Sequence, residues 1–361
     1  MPGGPDLVFG GGRRVSRVYL DHNATAPLRP EARAAMIAAM DAIGNPSSVH
    51  AEGRAAKGLL ERARAQVATA LGADGADVIF TSGATEAAGL ACAGRGFAGS
   101  GIEHDAVRSW CDETLAVADT GMVRVDAPET SVLQLANSET GIIQTLPQGL
   151  ALSDMTQGFG KLPVAFNWAG CRMALISAHK LGGPRGIGAL VVKRGTDVPA
   201  QILGGGQEMG RRPGTENLIG IAGFGAAAEA AARDLADETW SRVEKFRNIL
   251  ESSIEESAKE TIFVGKSQPR LPNTACFVTP GWKGETQVMA LDLAGFAVSA
   301  GSACSSGKVK SSHVLRSMGY DEDLAGCALR VSLGPDTTED NVLRFADVWA
   351  KLRNKHRARA A

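Results

Sequence analysis

Two side chains carry the strongest chemical signal in this sequence, Lys180 and Cys304. Lys180 closes the run Ser177-Ala178-His179-Lys180, which leads straight into Leu181-Gly182-Gly183-Pro184-Arg185-Gly186. An apolar strand thus delivers a lysine into a glycine-rich turn. A lysine is normally solvated; at a buried strand end it either snorkels or is partly desolvated. A desolvated lysine loses its proton more readily and can form a Schiff base. Read locally, a plain turn lysine is the competing explanation. Cys304 sits in Ser299-Ala300-Gly301-Ser302-Ala303-Cys304-Ser305-Ser306-Gly307, a run of tiny residues with no apolar packing partner nearby in sequence. Structural cysteines sit in apolar elements, whereas one at a loop tip is exposed and can react as thiolate. Cys92, Cys111, Cys276 and Cys327 lie in apolar contexts and read as core filler; Cys171 follows Ala169-Gly170 and is harder to place.

Other residues complete a pattern around the lysine. Pyridoxal phosphate needs a lysine for its aldehyde and a carboxylate for its pyridine nitrogen, so that the ring can accept electrons. Asp154, read as the end of a loop in Ser153-Asp154-Met155-Thr156-Gln157, is the candidate carboxylate, with a turn or cap residue as the plainer reading. A phosphate needs backbone N–H groups and hydroxyls. Ser82-Gly83-Ala84-Thr85-Glu86 offers these at a strand-to-helix junction, where a helix N-terminus favours an anion. The run Gly204-Gly205-Gly206, continuing to Arg211-Arg212-Pro213-Gly214-Thr215, is a second candidate anion stretch or a flexible loop.

These residues need a scaffold, and the hydrophobic pattern supplies one. Helical periodicity runs through residues 30–43 and 52–71. Residues 77–81 form a short β-rich run, and residues 122–125, 132–136, 173–176 and 187–192 also read as buried strands. Such runs between helices predict an α/β fold with a mostly parallel sheet covered on both faces. A long helical region spans residue 215 to about 259, broken near 234–239, and leads to strands at 270–279 and 328–333 with helices at 284–294 and 338–354. That second part reads as a smaller α+β domain.

Composition excludes several classes. The chain has 361 residues, 44% hydrophobic and 21% charged, with formal net charge −1. This fits a two-domain globular protein and gives no nucleic-acid footprint. The six cysteines show no metal-binding spacing, so no metal site is expected. No run approaches the roughly 18 apolar residues of a membrane span, and the Gly-rich start has no signal-peptide core. Free thiols and a cytoplasmic location are expected.

Taken together, the motifs resemble the cysteine desulfurases of the NifS/IscS type, fold-type I pyridoxal-phosphate enzymes related to class V aminotransferases. Tyr19-Leu20-Asp21-His22-Asn23-Ala24-Thr25 looks like the family's opening motif, and Asn45-Pro46-Ser47-Ser48-Val49-His50 matches its NPSS-x-H segment. Phe80 to Glu86 matches the TSGATE phosphate loop, Ser177 to Lys180 resembles the S-x-H-K motif, and Gly210 to Asn217 the GRR-x-GTEN stretch. Gly301 to Cys304 resembles the GSAC motif of the group with an extended catalytic loop.

The resemblance implies a large domain with a mostly parallel seven-stranded sheet at residues 26–235 and a small C-terminal domain at 236–361, joined by residues 1–25. It implies that Lys180 holds pyridoxal 5'-phosphate covalently and moves protons, and that His104 stacks on the ring and assists. Asp154 would pair with the pyridinium, Gln157 with the phenolic oxygen, and Ala84, Thr85, Ser177 and His179 with the phosphate. Thr215 would reach the phosphate of a partner subunit, which implies a homodimer. Asn137 and Arg330 would hold the substrate carboxylate. Cys304 would take sulfur from L-cysteine as a persulfide, releasing L-alanine. An iron–sulfur scaffold or another sulfur-acceptor protein would receive it, with Cys304 a transient cluster ligand in the first case.

The chain departs from the family between His104 and Asp154 and after Lys161, where its segments are short. Outer helices of the large domain are expected to be trimmed, with the spacing of Asp154 and Gln157 kept. Two other readings remain at this point: selenocysteine lyase or another class V reaction, and a degenerate non-catalytic partner protein.

Overall fold

The computed structural model describes residues 17–301 and 311–360, so Cys304 lies outside the described residues. The described chain opens with β1 (Val18–Tyr19), α1 (Pro30–Met40) and α2 (Ala51–Ala70). In α2 good helix formers follow His50, whose ring accepts from the Gly53 N–H as a cap. Its buried positions Gly53, Ala56, Leu60, Ala63 and Val67 recur every three or four residues, which makes one apolar stripe.

The first sheet is built from β2 (Asp77–Thr81), β3 (Ala98–Ser100), β4 (Asp112–Leu115), β5 (Leu150–Asp154), β6 (Cys171–Ser177) and β7 (Gly188–Val192). Between β2 and β4 lie α3 (Ala84–Cys92) and the single-turn α4 (Asp105–Arg108). A continuous ladder runs β2-β7-β6-β5. Parallel bridges Val132↔Leu152 and Ala98↔Ser131 extend it through residues 131–133 to β3 and β4. The expected seven-segment sheet is therefore present. β7 is antiparallel to both neighbours and the remaining contacts are parallel.

β2, β5, β6 and β7 are buried on both faces, and their side chains alternate between two cores, whereas β4 at the sheet edge is exposed. Phe80, Ala174, Ile176 and Val191 pack in the core that includes Leu60 and Val67 of α2. Ile79, Met173, Leu175 and Leu190 pack against Ala87, Ala88 and Leu90 of α3. α5 (Leu218–Ala236) closes the first face, with Asn217 as its cap. A Cβ on Gly225 would lie 2.8 Å from Ala63 Cα, so only glycine lets α2 and α5 approach this closely. The predicted break falls at Glu238, a left-handed residue (φ 54°) that starts α6 (Thr239–Ser257).

The rest comprises β8 (Ile262–Phe263), β9 (Thr274–Val278), α7 (Gly284–Leu293), β10 (Phe296–Ala297), β11 (Ser299–Ala300), α8 (His313–Ser317), α9 (Glu322–Ala325), β12 (Ala328–Ser332) and α10 (Glu339–Ala360). An antiparallel sheet runs β11-β12-β9-β8. Leu329 and Val331 face a core with Phe277 and Trp349. Arg330, opposite Cys276 in the register, belongs to the other face. β1 pairs with β10, and the Ser332 N–H donates to the Leu20 carbonyl, so the opening segment is stitched to this second half.

Two sequence readings need correction. Residues 122–125 are not a strand; Val123 makes one antiparallel bridge to Val117 behind the turn at Gly121 (φ 80°). Asp154 is not in a loop but ends β5, whose Leu-Ala-Leu-Ser-Asp sequence is strand by burial between β6 and residues 131–133. Between α4 and α5 the only helical segments among the described residues are short 3-10 turns.

Candidate active site

The first sheet ends at a cavity of about 460 Å³, within the range of ligand pockets. Its wall includes Ala84, Thr85, His104, Asp154, Gln157, Ser177, His179 and Lys180. β6 delivers Ser177, after which one 3-10 turn, Ala178–Lys180, swings the lysine across the strand end. Lys180 Nζ donates to the carbonyls of Asn23 (2.7 Å) and Ala24 (2.9 Å). The opening motif therefore meets the lysine motif at its functional atom.

β5 delivers Asp154 to the same cavity. One carboxylate oxygen accepts from the Thr156 N–H at 2.9 Å, which leaves the other for a partner in the cavity. Gln157 Oε1 accepts from Lys161, and its amide nitrogen donates to the Asn23 carbonyl at 3.0 Å, with one N–H left over. α3 starts at Ala84 after Gly83 with no side-chain cap. Uncapped N–H groups at a helix start are what a phosphate satisfies, and Ala84 and Thr85 line the cavity there. His179 Nδ1 lies 3.1 Å from Thr25 Oγ1, and burial, then the Lys180 charge, holds its ring pKa at about 4. It is therefore neutral at pH 7. His104 Nδ1 accepts from the Ala106 N–H at 3.1 Å, which leaves Nε2 as the ring's donor. An amine, a lone carboxylate oxygen and an uncapped helix start around one cavity fit pyridoxal phosphate.

The remaining predicted residues lie elsewhere. Arg330 is buried, with Nη2 on Asp21 Oδ1 at 2.8 Å and Nη1 on the Ser138 carbonyl at 3.1 Å. Its Nε is buried without a partner. Asn137 is also buried, and its Oδ1 accepts from the N–H groups of Glu139 and Thr140, so its amide organises the 137–141 turn. Thr215 lines a separate cavity of about 210 Å³, which shares Ser82 and Gly186 with the first. Glu86 links the two walls through its ion pair with Arg212 at 2.8 Å. Cys304 lies outside the described residues. Cys92, Cys171, Cys276 and Cys327 are buried and Cys111 half-buried. Among the described residues no group of His, Cys, Asp and Glu is placed to hold a metal.

Sequence reasoning missed four buried polar residues. Asn23 bonds through every polar atom of its amide. Lys161 is 3% exposed. Burial, then the Asp154 charge, pushes the Glu103 carboxyl up to about 8. Burial raises Glu139 to about 7, against the pull of Ser312 and Arg330. Nothing local marks them; a lysine in Gly-Phe-Gly-Lys reads as solvated until the chain is folded.

The class-V aminotransferase family model matches residues 18–106 and 126–345. The chain belongs to this family, whose members depend on pyridoxal phosphate. The unmatched stretch, residues 107–125, falls in the helix-poor middle. Among curated relatives, a cysteine desulfurase of Gluconacetobacter diazotrophicus is 37% identical, covering 94% of this chain and 95% of that protein. The cysteine desulfurase IscS of Dictyoglomus turgidum is 35% identical over the same shares. The crystal structure of a NifS-like protein from Rickettsia africae superposes with TM-score 0.86 at 30% identity, covering 94% of this chain and 99% of that one. No helix among the described residues is long and apolar enough to cross a membrane.

Proposed function

We propose that this protein is a pyridoxal-phosphate-dependent cysteine desulfurase, which takes sulfur from L-cysteine to give L-alanine and a persulfide on Cys304. The observation that carries it is the meeting of Lys180, Asp154 and the uncapped start of α3 at one cavity, in a chain of this family.

When bound, the cofactor supplies an electron sink for the carbanion left by loss of the substrate α-proton. Lys180 holds it through its amine and afterwards moves the proton. Asp154 keeps the pyridine nitrogen protonated, and Gln157 donates to the ring oxygen. Ala84, Thr85, Ser177 and His179 hold the phosphate. His104 covers the ring and carries a proton on Nε2. Asn137 and Arg330 take the substrate carboxylate. The Cys304 thiolate attacks the substrate sulfur; the S–S bond forms as the C–S bond breaks, and the electron pair stays with the alanine skeleton.

The working unit is a homodimer in which Thr215 reaches the partner's phosphate. Val49 and Leu203, 87% and 90% exposed, are apolar side chains of the kind an interface covers. Residues 26–235 form the large domain and 236–361 the small one, with 1–25 joined to the latter as the pairing of β1 with β10 supports. The enzyme works in the cytoplasm, as the free thiols among its described residues support, and hands sulfur to an iron–sulfur scaffold or another acceptor protein.

The test is incubation of the purified, cofactor-loaded protein with L-cysteine and a reductant. Alanine and sulfide form in equal amounts, and Cys304→Ala abolishes both while the visible absorption of the bound cofactor stays. Colour without sulfide means another substrate. A protein that takes up no cofactor overturns the reading.

A further inference from the structure

Lys161 is a buried lysine whose nitrogen meets two amide oxygens and no carboxylate among the described residues. Nζ donates to Gln157 Oε1 at 2.7 Å and to Asn23 Oδ1 at 3.3 Å. Charged or neutral, a lysine has hydrogens for both contacts. Burial, then Lys180 and Arg330, lowers its pKa well below that of a free lysine. A bare lysine in this position is costly, so its geometry calls for a use.

An amide has one accepting and one donating end. Lys161 therefore decides which end of each amide faces it. With Oε1 of Gln157 held, the NH2 group points the other way. One of its hydrogens goes to the Asn23 carbonyl at 3.0 Å, and the second is left for the cavity that Gln157 lines. With Oδ1 of Asn23 held by Lys161 and by Asn273 Nδ2 at 3.1 Å, that residue's NH2 group donates to the Ser138 carbonyl at 3.1 Å and to Thr274 Oγ1 at 2.9 Å. The same Ser138 carbonyl accepts from Arg330 at 3.1 Å. One amine thus sets the orientation of an amide on the cofactor side and, together with Asn273, that of another that ties the substrate-side turn to the second sheet.

We propose that Lys161 is a positioning residue: it locks the Gln157 amide with its N–H toward the cofactor ring oxygen, and through Asn23 it links that contact to the Ser138–Arg330 side. The inference rests on the cofactor reading above. Lys161→Met removes the donor at similar length. It weakens pyridoxal-phosphate affinity, measured by absorbance titration of the apoprotein, on the order of tenfold, the scale of one lost hydrogen bond. It also shifts the visible band of the bound cofactor.

A purely structural lysine predicts something else, and a double-mutant cycle separates the two. Gln157→Leu weakens affinity at least as much, and adding Lys161→Met to it changes affinity no further. Lys161→Gln, which keeps an amide N–H, retains most of what Lys161→Met loses and covers the case of a poorly folding methionine variant. Losses that multiply with Gln157→Leu, equal losses in both Lys161 variants, or a Lys161→Met protein with lowered melting temperature but unchanged affinity and band each overturn the proposal. A wild-type protein that takes up no cofactor overturns this and the reading beneath it; a wild-type protein that binds, beside an unaffected Lys161→Met, overturns this alone.

Discussion

The floor of the cavity and its rim handle polar groups in opposite ways. On the floor, Asp154 uses one oxygen on the Thr156 N–H, Gln157 keeps an N–H, and α3 begins uncapped. On the rim, Arg330 is paired with Asp21 and Ser138, and the Asn137 amide is spent on its own turn and on the Ile102 carbonyl. Strand ends and a helix start hold open groups for the cofactor's ring and phosphate, and the Lys180 amine leaves the carbonyls of Asn23 and Ala24 to take it. The rim is closed on itself, and a substrate carboxylate must displace Asp21 or the Ser138 carbonyl. Two features ease that exchange: carboxylate replaces carboxylate, and Arg330 Nε is already buried without a partner, a state that costs about 1–3 kcal/mol.

The contrast is open to breakage from both sides. Lys180→Ala, on the floor, has the largest effect. Turnover of L-cysteine falls by at least about a hundredfold, the lower end for a positioned proton-transfer group, and the lysine-bound absorption band disappears. Survival of that band places the covalent attachment elsewhere and undoes the account of the floor. Arg330→Met comes next. It raises KM for L-cysteine roughly 10–100-fold, the scale of a lost hydrogen-bonded charge, with a smaller change in kcat and cofactor affinity unchanged. A drop in cofactor affinity of similar size would show that rim and floor are not separate. Asp21→Asn sharpens the exchange argument: it weakens the competitor for Arg330 and lowers KM by a fewfold, measured alongside a melting curve.

The sequence carried the floor better than the rim, for physical reasons. β2 is legible as Asp-Val-Ile-Phe-Thr because β-branched and aromatic residues favour a pleated, buried surface. The break between α5 and α6 is legible from the charged run that interrupts the apolar stripe. Lys180 and Thr85 sit at junctions where local pattern changes, and such changes are visible along a chain. β5 was not legible, because Ala, Ser and Asp have weak strand preference and only burial between two neighbours makes them a strand. Asn23 joins Gln157, Asn273 and Thr274, partners far away in the chain. Arg330 was legible from the motif, but its pairing with Asp21 requires β1 to return beside the second sheet.

The smallest effect separates two buried carboxyls, one under each region. Glu103 lies under the floor, bonded to Ser100 Oγ and the Gln134 N–H, with Asp154 and Cys111 the charged or titratable groups that raise it further. Glu139 lies under the rim, bonded to Ser312, with Arg330 and His104 pulling its pKa down and Asp105 pushing it up. Both carboxyls are raised, so each binds a proton in the folded state that it has lost in the unfolded chain. Their stabilising contribution is full below the ordinary carboxyl range and is lost as pH rises to the folded value, by at most about 1.4 kcal/mol per pH unit for each group. The wild-type profile alone does not isolate this. His22 and His179, held at about 4, and Lys161, lowered by burial, contribute with the opposite sign. Variants compared with wild type do isolate it. Glu139→Gln gains on wild type as pH rises and stops gaining near pH 7, whereas Glu103→Gln keeps gaining until near pH 8. Denaturant unfolding of the apoprotein at intervals between pH 5 and 9 reads both end points. The gap between them reports the pull of Ser312 and Arg330 on Glu139, whereas the groups that shift Glu103 include no cation. If the two variants stop gaining at the same pH, the electrostatic distinction between the two regions fails, and Arg330 is too fully engaged by Asp21 to be felt by Glu139.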